Sequence, residues 1–301
     1  MSAPLPASEP EPSADPQQLR ADADRIHELH EAGDAPAARA ACSALEAAAG
    51  DRLDDVVVRE SVFTARFVRA VMDAEEGDLD RALTGYLAAA SLPFDVDDPD
   101  QSHELAMALL NAGICWSAGG DPAAALVTYD DLLTQLGDAE DPVTSEQVIK
   151  ARVNRGVALL ELDRTAEAVA AADDVLDRLG DTLEPLVAEQ RGMALRLRAQ
   201  ALRDLDRLEE AAATLLAADE LATVDDPATR VQVVAASGER AELLAALGRA
   251  AEAVELLDTT ANRFADEPEV AEVVVDLRRA EADLLDATGE GERAPDGRGS
   301  P

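Results

Sequence analysis

The sequence of 301 residues has few aromatic side chains and few positive charges. It holds one Trp, two Tyr and four Phe, so Ala and Leu must build most of the core. Only Lys150 is a lysine, and the 26 cationic residues face 63 acidic ones, for a net charge of −37. Because binding to phosphate requires clustered cations, this balance argues against nucleic acid and against an anionic membrane surface as partners.

Cysteine and histidine are also scarce. Cys42 and Cys115 have no metal-like spacing, so we expect two reduced thiols in the core of a cytoplasmic protein. His27 and His30 form His-Glu-Leu-His, which lacks the spacing of a zinc protease motif. The acidic run Asp95–Asp100 lacks the spacing of a calcium loop and is better explained as a helix start. We therefore expect no metal and no cofactor.

Motifs that mark common enzymes and exported proteins are missing as well. The sequence has no Gly-Lys-Ser/Thr phosphate loop and no Gly-x-Ser-x-Gly nucleophile elbow, and we expect no catalytic activity. It shows no basic start followed by an apolar stretch and no apolar run of membrane-spanning length. These absences favour a cytoplasmic, non-catalytic protein.

What the sequence does have is a repeat of about 43 residues. Prolines recur at one point of the repeat, with spacings of 43, 43, 42 and 41 residues: Pro99, Pro142, Pro185, Pro227 and Pro268. Turn residues recur at spacings of 44, 43, 43, 43 and 42 residues: Gly33, Gly77, Gly120, Asp163, Asp206 and Gly248. An alanine follows each turn residue by five positions: Ala38, Ala82, Ala125, Ala168, Ala211 and Ala253. A fixed period of this length indicates a solenoid, a propeller or another array.

Each half of the repeat has apolar residues at helical spacing, which predicts a pair of helices joined by the turn. In the clearest copy, Pro142 opens a helix, Asp163 and Arg164 form the turn, and a second helix starts near Glu167. We expect six such hairpins followed by one capping helix after Pro268, together spanning residues 16–288. Residues 1–15, rich in Pro, Ala and Glu, and residues 289–301 are predicted to be disordered tails.

The repeat resembles the tetratricopeptide repeat (TPR). That family places a small residue in its first helix and, in its second, an Ala followed by an aromatic residue. Twelve positions before each repeat alanine stand Ile26, Ala70, Gly113, Gly156, Ala199 and Ala241, five of them small. Four positions after it stand Cys42, Tyr86, Tyr129, Ala172, Leu215 and Leu257, two of them aromatic.

The period departs from the family value of about 34 residues, so each helix is about one turn longer than in a standard repeat. In its length, the repeat of this chain is similar to the long TPR variants of kinesin light chains and of bacterial regulators. HEAT repeats share this period and are the lesser alternative. The turn followed by Ala favours the tetratricopeptide interpretation.

The resemblance implies an all-α, right-handed superhelical solenoid of helical hairpins with a C-terminal capping helix. It also implies that the first helix of each hairpin lines a groove that binds a peptide or a helix. The residues it places on that face are Phe67, Met107, Asn111, Lys150, Asn154, Arg196, Gln200 and Arg203.

Two subsets of these residues suggest particular contacts. Asn111 and Asn154 are 43 residues apart and occupy one position of successive repeats, where an amide can bind a peptide backbone. Arg196 and Arg203 lie two turns apart and could hold a carboxylate. The alternative is that all are solvated residues of a helix face. The carboxylate clamp of chaperone-binding relatives is matched only by Asn154 with Lys150 nearby.

These features predict a protein- or peptide-binding scaffold or adaptor. The alternative function is a regulatory sensor in which a peptide or small ligand changes the curvature of the solenoid, and an enzyme with scattered groove residues is a weaker third. The acidity has two interpretations. It either selects basic partners, or it serves solubility or a salty cytosol.

Overall fold

The computed structural model describes residues 15–181 and 183–288, and in this part of the chain helices are joined by turns and short links, with no β-strand. Its α-helices are α1 (Pro16–Glu31), α2 (Ala35–Ala49), α3 (Val56–Glu75), α4 (Leu79–Ala90), α5 (Pro99–Ala118), α6 (Pro122–Leu136), α7 (Pro142–Glu161), α8 (Thr165–Leu179), α9 (Pro185–Asp204), α10 (Leu208–Leu216), α11 (Pro227–Ala246), α12 (Ala250–Arg263) and α13 (Ala271–Thr288). Two short 3-10 helices span Ala217–Thr223 and Pro268–Val270. The predicted tails fall outside the described residues, except that Asp15 caps α1.

The helices repeat with the period seen in the sequence. Helices α3, α5, α7, α9 and α11 each have 20 residues, and their starts are 43, 43, 43 and 42 residues apart. Each is joined to the following helix by a short turn, and α13 packs against α12 and α11. The prediction of an all-α repeat solenoid is confirmed, whereas the handedness of the superhelix stays a prediction.

The chain divides into two compact units, with the boundary between Ala151 and Arg152 inside α7. In the first unit α1 packs on α2 and α3, α3 on α4, α4 on α5, and α5 on α6. In the second unit α8 packs on α9, α9 on α10 and α11, and α11 on α12 and α13. Each unit therefore buries its apolar residues between neighbouring helices of the stack.

The turns inside the hairpins share one backbone conformation. All six predicted turn residues have a left-handed φ: Gly33, Gly77, Gly120, Asp163, Asp206 and Gly248. At the second turn, the amide of Gly77 donates to the carbonyl of Ala74 and the amide of Asp78 to that of Asp73, each at 2.9 Å. This pair of bonds closes the end of α3 and satisfies carbonyls that the helix leaves free. Helix α7 ends at Glu161, and Asp163 has the left-handed conformation. Helix α8 begins at Thr165, two residues before the predicted start.

The residue after the turn differs between the units. In the first unit it is an Asp whose carboxylate accepts a hydrogen bond from the backbone amide three residues on: Asp34, Asp78 and Asp121. In the second unit it is an Arg that forms two hydrogen bonds to a Glu three residues on: Arg164 with Glu167, Arg207 with Glu210 and Arg249 with Glu252. These Arg hold the pKa of each Glu below its usual value through direct hydrogen bonds.

The acidic run before α5 also starts a helix, as predicted. The carboxylate of Asp98 accepts hydrogen bonds from the amides of Asp100 (3.0 Å) and Gln101 (3.2 Å). Its negative charge lies at the positive end of the helix, where it is stabilised by the helix dipole.

Small residues set the distance between helices that pack against each other, both within a hairpin and between successive hairpins. All six repeat alanines have no exposed surface. A Cβ atom added to Gly113 would lie 2.2 Å from a ring carbon of Tyr129, and one added to Gly156 would lie 2.4 Å from Cδ2 of Leu197. Gly113 and Gly156 are therefore positions where the neighbouring helix leaves no room for a side chain.

Two parts of the chain differ from uniform hairpins. After α10 ends at Leu216, the chain continues as the 3-10 helix Ala217–Thr223, which contacts α9 and α11. In α13, Leu277 is buried while Asp276, Arg279 and Asp283 are exposed, so the last helix has one apolar face and one polar face. Among the described residues, no helix is long and apolar enough to cross a membrane.

We expect Gly156→Leu to lower the free energy of unfolding by about 1–3 kcal/mol, because the new side chain would collide with Leu197 in a packed interface. Urea unfolding followed by far-UV circular dichroism measures the loss. Val157→Leu, on the neighbouring exposed position, is the control. A loss below about 0.5 kcal/mol for Gly156→Leu would contradict this packing, since that is the size of an ordinary surface effect.

The turns give a second expectation. Gly77→Ala should destabilise by about 1–2 kcal/mol, because a residue with a Cβ pays this cost in the left-handed region. Asp206→Gly removes such a cost and should leave stability unchanged or slightly raised. Equal losses in the two variants, measured by urea unfolding, would show that the turn conformation does not limit stability.

Candidate functional site

A cavity of about 560 Å³ lies in the first unit, lined by residues of α1, α3 and α5. Its apolar lining residues are Ala23, Phe63, Phe67, Val68 and Met107. Its polar lining residues are Arg20, Asp24, His27, Glu60, Ser61, Thr64, Asp100, His103 and Glu104. Because these residues come from the first helices of three successive hairpins, the cavity is a product of the repeat itself.

The apolar wall of the cavity is aromatic. The rings of Phe63 and Phe67 stack with centroids 5.3 Å apart. Phe94 meets Phe63 edge-on at 5.9 Å, and Tyr86 meets Phe67 edge-on at 5.3 Å. Four of the seven aromatic residues of the chain thus form one cluster at this cavity. Phe63 and Phe67 line the cavity, and Tyr86 and Phe94 pack against them.

The polar side of the cavity is acidic. Nη2 of Arg20 lies 2.5 Å from Oε2 of Glu60, so this cation is already paired. Oε2 of Glu104 is shielded from solvent and accepts no hydrogen bond from the described residues, and Nδ1 of His103 is likewise buried without a partner. Buried polar atoms without partners are uncommon in folded proteins and indicate a water, an ion or a ligand group.

Glu104 is the most perturbed carboxyl group of this site. Burial raises its pKa to about 8. The negative charge of Glu60 adds to the rise, and Arg59 opposes it. Arg59 does not neutralise Glu104 directly, because its guanidinium donates to Oε1 of Gln101 at 2.6 Å and to the carbonyl of Leu53 at 3.1 Å. Glu104 is therefore mostly protonated at neutral pH when the cavity is empty.

Two of the predicted site residues of the first unit line this cavity, and a third lies one helical turn away from it. Phe67 and Met107 both line it. Asn111 lies one turn beyond Met107 on α5, outside the lining, and its amide donates to the carbonyl of Met107 at 2.8 Å. Lys150 is absent from the lining and pairs with Glu146 at 2.6 Å on its own helix.

The other predicted residues lie in the second unit. Arg196 donates to Glu239 at 2.6 Å and to Gln232 at 2.9 Å, and Nη1 of Arg203 lies 3.9 Å from Oε2 of Glu242. Asn154 is half-buried and Gln200 is exposed. The two arginines predicted to hold a carboxylate thus face carboxylates of α11, which a ligand carboxylate would have to displace.

Sequence reasoning missed Glu104, although the repeat contained a signal for it. Thr64 and Met107 are 43 residues apart, as are Ser61 and Glu104. Thr64 of α3 and Met107 of α5 occupy equivalent positions of the repeat. Ser61 and Glu104 occupy the equivalent positions one helical turn earlier. Extending the predicted face by one turn toward the start of α5 would have included Glu104.

Cys42, Cys115 and His30 lie outside the lining of this cavity. Burial raises the pKa of the Cys42 thiol to about 11, and burial also raises the pKa of Cys115. Both cysteines are buried and free. His30 lies 3.1 Å from Glu75 on the surface. Within the described residues, no group of three or more His, Cys, Asp and Glu side chains is arranged to hold a metal ion.

Comparison with known proteins shows a likeness in fold to TPR proteins. No family model and no curated protein matches the sequence. PilW, a type IV pilus biogenesis factor, aligns with a TM-score of 0.55 at 18% identity over 87% of this chain and 100% of its own. The TPR-like repeats of a kinesin light chain from Podosopora anserina align with a TM-score of 0.53 at 17% identity over 67% of this chain and 93% of theirs.

A third similar structure is PlcR of Bacillus thuringiensis, solved in complex with the peptide PapR7 and DNA. It aligns with a TM-score of 0.50 at 11% identity over 89% of this chain and 98% of its own. The chain therefore has a TPR-like fold, as the resemblance in the sequence predicted. At these identities the likeness concerns the fold alone.

The raised pKa of Glu104 predicts a pH-dependent effect of Glu104→Gln on stability. An ordinary Glu titrates near 4.5 and Glu104 near 8, so between these values the folded chain binds a proton that the unfolded chain has lost. The stability of the wild type should fall relative to Glu104→Gln as pH rises through this window, with a limiting slope of about 1.4 kcal/mol per pH unit. The difference should be constant below and above the window.

Urea unfolding of both proteins at a series of pH values measures this difference. The low-pH end is an internal control, because the side chain is uncharged in both proteins there. A stability difference that does not change with pH would show that Glu104 has no raised pKa. Carbon NMR of the Glu104 carboxyl gives its titration midpoint directly.

Proposed function

We propose that this protein is a non-catalytic scaffold that binds a segment of a protein or peptide in the cavity between α1, α3 and α5. The observation that carries the proposal is the combination of a stacked Phe63–Phe67 wall with the unpartnered carboxylate of Glu104 in one cavity. Its volume of about 560 Å³ is in the range of ligand sites, and such sites have mostly apolar walls with a few convergent polar groups.

The chemistry of the lining supports a peptide as ligand. The ionised carboxylates of the lining accept hydrogen bonds and donate none. A bound segment must therefore supply donors, and a peptide offers a backbone N–H at nearly every residue. The apolar side chains of such a segment would meet Phe63, Phe67 and Met107.

The same lining supports a binding role over a catalytic one. Oγ of Ser61 donates to the carbonyl of Val57 on its own helix at 2.7 Å, and Ser61 is 2% exposed. Its proton is thus held by the backbone and not by His103 or a carboxylate. A nucleophile needs a base within hydrogen-bond reach, and the hydroxyl of Ser61 lacks that arrangement.

The residues predicted in the second unit remain candidates for a separate binding surface on that unit. Asn154 and Gln200 carry amides that can both donate and accept. Arg196 and Arg203 would contribute only if a ligand competes with Glu239 and Glu242. Binding in the first unit does not depend on them.

A regulatory sensor is the second candidate function. The comparison that favours it is PlcR, whose structure contains a bound peptide and DNA. A sensor would bind its ligand in the same cavity and change shape in response. Small-angle scattering with and without a bound peptide separates the two: an unchanged profile favours the scaffold, and a shifted profile favours the sensor.

We expect Thr64→Arg to abolish peptide binding, because Thr64 lines the cavity and a longer side chain would fill it. Short random peptides displayed on phage are selected on the wild type, and the affinities of the recovered peptides are measured for both proteins. Thr84→Arg, at an exposed position of α4 outside the lining, is the matched control and should bind like the wild type.

Circular dichroism and urea unfolding confirm that both arginine variants are folded. Peptides that bind the wild type and Thr64→Arg equally would place the binding surface away from this cavity. Failure to recover any peptide specific for the wild type would contradict a peptide-binding function.

A further inference from the structure

We infer that the cavity receives a lysine or arginine side chain of the bound segment, and that Glu104 is the carboxylate that pairs with it. This inference rests on the proposed function of the same cavity and specifies the chemistry of the partner. It follows from three features of the first unit, which are the balance of charge around the cavity, the aromatic wall, and the hydrogen bonds of the internal cation Arg59.

The charges around the cavity are unbalanced. Four carboxylates line it, from Asp24, Glu60, Asp100 and Glu104, against the single guanidinium of Arg20. Arg20 pairs with Glu60 at 2.5 Å. No cation of the described residues forms an ion pair with Glu104, and one of its oxygens is buried without a partner. Burial therefore favours the protonated form of Glu104 in the empty protein, and a ligand cation beside it would stabilise the ionised carboxylate.

The internal cation that opposes the rise in the pKa of Glu104 is Arg59, and its guanidinium has other partners. Arg59 is 6% exposed, and its guanidinium donates to Gln101 and to the carbonyl of Leu53. The acceptor Gln101 is fixed in turn, because its Oε1 also accepts a hydrogen bond from the amide of Asp95 at 3.0 Å. Arg59 would have to break these bonds to reach Glu104. The carboxylate is thus left available to a cation from outside.

The aromatic wall suits the rest of such a side chain. Lysine and arginine bury their methylene stems along apolar surface while the charged head reaches a polar group. Stacked Phe63 and Phe67, together with Met107, offer that surface next to Glu104. The faces of aromatic rings also attract cations. An acidic segment would instead meet the carboxylates of Asp24, Glu60 and Asp100.

Titration of the site should change when such a cation binds. The charged and titratable groups that surround Glu104 are Arg20, Asp24 and His27 of α1, Arg59 and Glu60 of α3, and Asp98, Asp100 and His103 at the start of α5. In the empty protein burial holds the pKa of Glu104 at about 8. A cation beside the carboxylate favours its ionised form, so binding at neutral pH should release a proton.

The experiment uses short random peptides that bind the wild-type chain and do not bind Thr64→Arg, so that every peptide tested occupies the cavity. Each peptide is remade with its lysine replaced by norleucine, or its arginine by citrulline, and affinities are measured by calorimetry. For the wild type this replacement should weaken binding about tenfold or more, as expected for loss of a hydrogen bond to a charged group. For Glu104→Gln it should have little effect.

Glu31→Gln is the matched control, since it makes the same substitution at an exposed position of α1 outside the lining of the cavity. For this variant, replacing the lysine or arginine of the peptide should weaken binding as much as it does for the wild type, because exposed ion pairs contribute little. Calorimetry in two buffers of different ionisation enthalpy should detect the proton released on binding to the wild type. No such release should occur with Glu104→Gln.

The outcomes separate the two proposals. Cavity-binding peptides without a lysine or arginine, or an equal effect of the norleucine replacement on wild type and Glu104→Gln, would overturn the inference and leave the proposed function intact. If replacing the peptide cation has as little effect on binding to Glu31→Gln as on binding to Glu104→Gln, the assignment to Glu104 is overturned. If no peptide distinguishes the wild type from Thr64→Arg, both proposals fail.

Discussion

Close packing of helices across small side chains is the constraint on which the rest of this structure depends. The repeat alanines have no exposed surface, and added atoms at Gly113 or Gly156 would overlap the facing helix. A chain with seven aromatic residues cannot fill wide gaps between helices. It instead brings the helices together, and the left-handed turns reverse the chain within the few residues that this spacing allows.

Most of the fold could be predicted because its signals are local and repeated. A left-handed turn requires a residue that tolerates positive φ, and the six turn positions are Gly or Asp in every copy. The 3-10 segment after α10 was not predicted, since Ala217–Thr223 contains no Gly or Pro that marks a change of helix type. The resemblance to TPR proteins predicted Phe67 and Met107 on a shared face, and both line the cavity.

The carboxylate at the centre of the candidate site was harder to foresee. In a sequence with 63 acidic residues, one more Glu carries no information by itself. Glu104 is distinguished by what surrounds it. Arg59 is bound to Gln101, Arg20 is paired with Glu60, and one carboxyl oxygen of Glu104 is shielded from solvent without a partner. Those relations join residues about 40 positions apart in three helices, and they become visible only when the helices are stacked.

The placement of the aromatic residues has a practical consequence for experiments on the two units. Trp116, Tyr86 and Tyr129 all belong to the first unit, and the only aromatic residue of the second is Phe264. Ultraviolet absorbance near 280 nm and intrinsic fluorescence therefore report on the first half of the chain and are silent on the second. Comparing fluorescence with far-UV circular dichroism during denaturation would show whether the two halves unfold together, with no label added to either.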